Sequence, residues 1–293
     1  MSPILLEVTL GLARIVTYVG YVLMAGTFTF WILVWPAGSS DRRLVRLAVV
    51  GTALLALGTF ADPAIRVALG GQLLADVLTP VSGAALLVRL AALVATAFFL
   101  VDLIRSPING GRRVFALVVV AVIAGSMVVP SDAVGGPREV LAVVALSGHV
   151  LATAAWLGGL VALAAVLIPR DHLEELERLV PRFSLVALFS VIILLVTGIV
   201  DALVVAGGLA ALVNSPYGLV VLIKIGVLAG MVILGHFGRR YAARLAFRRV
   251  HQPAELVKNS RGAHNLALVM GTEVLIAVGI LATTSMLVMV APS

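Results

Sequence analysis

The sequence predicts an all-α polytopic membrane protein: eight transmembrane helices, arranged as two parallel four-helix repeats, with both termini extracytoplasmic. Three observations carry that prediction. The 293-residue chain is 61% hydrophobic and only 12% charged. Its apolar residues gather into eight segments, each close to or above the ~20 residues that cross a hydrocarbon core of ~30 Å. Its basic residues fall on alternate connections between those segments.

The spans are expected near residues 5–35, 45–69, 80–104, 114–130, 139–168, 183–206, 217–240 and 264–290. The first is long and carries Glu7 and Arg14 without a basic leader, so no cleavable signal peptide is expected. The second carries Asp62 and runs out at Gly70-Gly71. The third opens at Pro80-Val-Ser-Gly83 and reaches Arg89, and the fourth closes at Ser126-Met127. The fifth holds His149, the sixth Asp201, the seventh Lys224 and the eighth Glu273. The longest polar connection, Arg239 to Arg261, has room for one amphipathic helix and no appended soluble domain.

The net charge of +7 is a topology signal and not a nucleic-acid footprint. Arg42, Arg43 and Arg46 follow the first span; Arg105, Arg112 and Arg113 follow the third. Arg170, Arg178 and Arg182 follow the fifth, and Arg239, Arg240, Arg244, Arg248, Arg249, Lys258 and Arg261 follow the seventh. The opposite connections hold only Arg66 and Arg138. Basic connections face the cytoplasm, which puts both termini outside, in an inner or plasma membrane. The chain has no cysteine. Disulfides and thiolate metal sites are therefore excluded, and any soft-metal ligand must be Met or His with carboxylate support.

The halves echo each other, which divides the chain into a first repeat at 1–137 and a second at 138–293. Pro80-Val-Ser-Gly83 precedes Arg89 by the spacing at which Pro216-Tyr-Gly218 precedes Lys224. Asp62 before Gly70-Gly71 matches Asp201 before Gly207-Gly208, and Ser126-Met127 matches Ser285-Met286. A four-helix unit returns the chain to its starting side, so the copies run parallel. The matching depths predict two structural ion pairs, Asp62–Arg89 and Asp201–Lys224, each neutralising charges that hydrocarbon tolerates poorly. The same pairs would serve as a gate or relay at the outer mouth.

Chemistry separates the halves. His149 and Glu273 each lie about ten residues, ~15 Å, into their spans, near the midplane. Met270 is three residues from Glu273 and shares its face. Imidazole, carboxylate and thioether at one depth suit a copper ion in transit; an interhelical hydrogen bond and ordinary methionine packing are the plain alternatives. Met127, Met286 and Met289 gather at the outer ends of the fourth and eighth spans, where thioethers would receive Cu(I) or simply fill space. His236 and His264 fall near the cytoplasmic ends of their spans, where a solvated interfacial role competes with an exit ligand. No phosphate-cradling loop, zinc-protease spacing or nucleophile motif is present, so the chain is not expected to be an enzyme.

The order His149-Val-Leu-Ala-Thr-Ala-Ala-Trp156-Leu-Gly158-Gly159, Arg182-Phe183-Ser184, Thr197-Gly198 and Asn214-Ser-Pro-Tyr217-Gly218 with Lys224 resembles the CopD family of copper-resistance and copper-transport membrane proteins. The resemblance is strongest over residues 145–290. It implies copper ion as cargo, carried across the inner or plasma membrane and most often inward, and a possible extracytoplasmic copper-binding partner of the CopC kind. Two rivals stand beside copper import. One is a non-transporting subunit that docks a copper chaperone for cuproenzyme assembly. The other is a haem-binding electron-transfer protein, ranked lower because only His149 is deep enough to be an axial ligand; no haem is expected.

Overall fold

A computed structural model of the protein describes residues 3–105, 109–129, 136–167, 173–206 and 208–214, with positions 218, 219, 221–223, 225, 226, 228–230 and 233. Every element among these residues is helical. Six helices are long and apolar enough to cross a membrane: Ile4–Val34, Arg42–Ala68, Pro80–Leu103, Gly110–Val128, Glu139–Ala165 and Arg178–Leu203. They match the first six expected spans. The seventh is described only at scattered helical positions, and the eighth lies outside the described residues.

The first span is α1 (Pro3–Thr29) continued by a π-helical turn at Phe30–Val34. A 3-10 turn at Pro36–Ser40 leads into α2 (Arg42–Ala68). Asp41 starts α2, its carboxylate accepting from the backbone N–H groups of Arg43 and Leu44 at 2.8 and 3.2 Å. A short α3 (Leu74–Val77) precedes α4 (Pro80–Arg105). Asn109 accepts from the Arg112 N–H at 3.0 Å and starts α5 (Gly110–Val128). The fifth span is α6 (Pro137–Thr153), a π-helical turn at Ala154–Gly158, and α7 (Gly159–Leu167). Then come α8 (Leu173–Ala206) and the short α9 (Leu209–Val213).

Helix α1 occupies the centre of the described bundle. It packs most extensively on α2 and also meets α5 and the π turn of the fifth span. Close approach at these seams needs glycine. A side-chain carbon at Gly158 would fall on the Val22 carbonyl and the Gly26 Cα, so α1 and the fifth span meet backbone to backbone. Tyr21, Met24, Phe28, Phe30 and Trp31 of the first span are fully buried around this seam. Two buried polar groups of this seam are satisfied inside: Tyr21 donates to the Val120 carbonyl and Trp31 Nε1 to the Gly38 carbonyl, each at 3.0 Å. Large apolar side chains such as Phe98 (71% exposed) and Phe189 (63%) cover the outside, as a surface facing lipid requires.

Candidate functional site

His149 lies 12 residues into α6, about 18 Å along the helix. It is half-buried against α8, where its Nδ1 is 3.0 Å from the Thr197 hydroxyl. The glycine after that threonine faces the ring: a side-chain carbon at Gly198 would stand in ordinary van der Waals contact, 3.5 Å from His149 Cε1. Thr197 Oγ1 also lies 2.6 Å from the Ile193 carbonyl one turn earlier. A hydroxyl has one proton, and the carbonyl can only accept, so Thr197 donates to Ile193 and accepts from His149 Nδ1–H. That puts a ring proton on Nδ1 and turns Nε2 away from Thr197, with the hydroxyl fixing how the imidazole is oriented. Asp201, a partnered residue, lies one helical turn beyond Thr197, on the same side of α8.

The other motif residues on these helices contact one another. Gly159 faces the Phe183 ring, which a side-chain carbon there would strike. Arg182 donates to the Val34 carbonyl at 3.4 Å, where the π turn ends the first span. The Trp-x-Gly-Gly and Arg-Phe-Ser runs therefore tie the fifth span, α8 and α1 together, and His149 with Thr197-Gly198 is the polar point of that seam. The role of Thr197 was not foreseen from sequence; a threonine preceding a helical glycine was the available signal.

The first half of the chain holds a cavity of about 410 Å³ between α1, α2, α4 and α5. Arg14, Tyr18, Asp62, Arg66, Arg89 and Ser126 line it, and Met127 lies at its wall. Here the structure corrects an expectation. Asp62 pairs with Arg66, Nε to Oδ2 at 2.9 Å, and not with Arg89. Arg66 sits one turn along the same helix face, so it reaches the carboxylate without crossing between helices. The Arg89 guanidinium instead donates to the hydroxyl of Ser126 at 3.2 Å and to its carbonyl. Asp62 and Arg89 share the cavity, and the carboxylate acts electrostatically on the guanidinium across it.

Among the described residues no three His, Asp or Glu side chains converge as a metal site. Of the expected copper ligands, His149 and Met127 are described and lie in different halves of the chain, on α6 and α5. Glu273, Met270, Met286, Met289 and Lys224, the expected partner of Asp201, lie outside the described residues.

No curated protein and no solved structure matches the chain. Residues 177–287, which include the Arg182-Phe183 and Thr197-Gly198 motifs of this seam, match the family model for CopD, copper resistance protein D, so over that stretch the chain is similar to the CopD family.

Proposed function

We propose that the protein carries copper, as Cu(I), across the inner or plasma membrane towards the cytoplasm. The supporting observation is His149: a deep imidazole whose Nδ1–H is given to Thr197 of the CopD region, the kind of contact that orients a metal-binding imidazole. Glu273 and Met270 would complete the midplane site with it. Met286 and Met289 would receive the ion at the outer end of the eighth span. Met127 contributes less to capture in this reading, because three arginines beside it oppose a cation. The two parallel repeats, eight spans and outward termini belong to the same proposal. So does an extracytoplasmic copper-binding partner of the CopC kind. The chain works here as a conductor, without catalytic turnover.

Cu(I) uptake into liposomes holding protein of known orientation tests this, with wild type compared against His149→Ala. Uptake by wild type that the substitution abolishes is the expected outcome. If wild-type protein moves no copper yet binds it at the outer face, docking of a copper chaperone replaces transport.

A further inference from the structure

The cavity in the first half of the chain has a charge that its own residues do not balance. Arg14, Arg66 and Arg89 bring three guanidinium groups, which stay protonated in proteins, and Asp62 brings one carboxylate. Arg66 takes Asp62 and Arg89 leans on Ser126. Arg14 makes no hydrogen bond or ion pair with any described residue. Both Arg14 and Arg89 act electrostatically on Tyr18, so their charges converge on one region instead of dispersing.

The depth of the cavity says where such a charge would find a partner. Arg14 lies 20 residues from Val34, and Asp62 lies 20 residues from Arg42. At 1.5 Å per residue each is about 30 Å from the opposite end of its span, the thickness of the hydrocarbon core. Arg89 and Ser126 are each 16 residues from the far ends of α4 and α5, about 24 Å. The cavity therefore runs from inside the hydrocarbon up to its edge, within side-chain reach of lipid phosphates. Three guanidinium groups facing one carboxylate, half-enclosed at that edge, are costly without a further anion, and planar N–H forks match phosphate oxygens.

We propose that this cavity, between α1, α2, α4 and α5, is a phosphate site held by Arg14 and Arg89 with Tyr18 beside them. Arg66 stays with Asp62, which walls one side of the site and limits it to a single oxyanion. The phosphate comes from a lipid headgroup or from solution. The site is independent of the copper path through the second half.

The test uses full-length protein in a maltoside detergent, which carries no phosphate. Its thermal unfolding is followed while inorganic phosphate, or phosphatidylglycerol in mixed micelles, is added against chloride at matched ionic strength. Stabilisation by inorganic phosphate identifies a free ion, and stabilisation by the lipid alone identifies a headgroup. Arg14→Gln is expected to raise the apparent Kd about tenfold, the loss of one charge-assisted contact. Arg14→Lys, which keeps the charge without the fork, gives a smaller rise and a second reading should the glutamine variant fail to accumulate. Arg46→Gln, exposed at the other end of α2, leaves the response unchanged. The proposal is overturned if neither phosphate nor lipid stabilises beyond chloride, or if the Arg14 variants respond as wild type does.

Discussion

A threonine hydroxyl has one proton, and Thr197 gives its own to the Ile193 carbonyl, so its hold on His149 works through a lone pair. Replacing that hydroxyl with a methyl group of nearly the same size should leave the helix intact and free the imidazole to rotate or change tautomer. Thr197→Val is therefore expected to slow Cu(I) uptake at least about tenfold, the usual scale for losing the group that orients a metal ligand. Thr197→Ser should retain most of the rate. If valine transports as well as threonine while the protein remains folded, the orientation of the ring is irrelevant to function. The two adjacent glycines make a second contrast. A methyl at Gly158 meets the Val22 carbonyl and Gly26, which are backbone and cannot yield. A methyl at Gly159 meets the edge of the Phe183 ring, which can turn. Gly158→Ala should cost about 1–3 kcal/mol or more, and Gly159→Ala distinctly less. Denaturant titration of the two variants orders them; equal costs would mean that the α1 seam adjusts more freely than its geometry implies.

Helices were legible where their length is set by hydrocarbon and obscure where it is set by something else. Hydropathy marks the stretch that lipid requires, so it placed the sixth span at 183–206, whereas α8 begins at Leu173 and runs through Pro181. The first turns of that helix are polar and carry Arg178 and Arg182, which reads as a loop in any apolarity scan. Asp41 and Asn109 similarly start α2 and α5 ahead of the apolar stretch, by side-chain capping that hydropathy does not register. Depth could be counted along the sequence, which is why Asp62 and Arg89 do fall in one cavity. Which way each points around its helix could not, and Arg66 at one turn from Asp62 took the pair. The π turns left no trace in composition at all. The one at Ala154–Gly158 adds a residue within a helical turn, between His149, which faces α8, and Gly158, which faces α1. Deleting Ala155 should convert it to α-helix and keep Gly158 and Gly159 near their present orientation to His149, because the π turn absorbs one residue without the ~100° advance of an α-helical one. The deletion is therefore expected to leave the elution profile and unfolding temperature close to wild type. A sharp loss of monodisperse protein would show that the widened turn itself is needed.

On the scale of the whole molecule, sidedness decides what every other feature means. The six described candidate spans alternate direction, so the connection between α1 and α2 and the connection between α2 and α4 lie on opposite sides. Arg42, Arg43 and Arg46 stand at the α2 end of the first, and Arg66, in the last turn of α2 beside the second, is already engaged by Asp62. Positive charge is retained on the cytoplasmic side during insertion, so the α1–α2 connection should be inside. A chain without cysteine offers a direct test, because a single introduced thiol is the only one that can react. Ser40 and Gln72 are exposed in the two connections. Gln72→Cys should react with a membrane-impermeant maleimide added to spheroplasts, and Ser40→Cys only after the membrane is permeabilised. The converse pattern would invert the topology: the cavity beside α3 would then face the cytoplasm, and inward copper movement would lose its outer methionine collar. Labelling of both from outside would mean that α2 does not cross the membrane, and the six-span reading would fail with it.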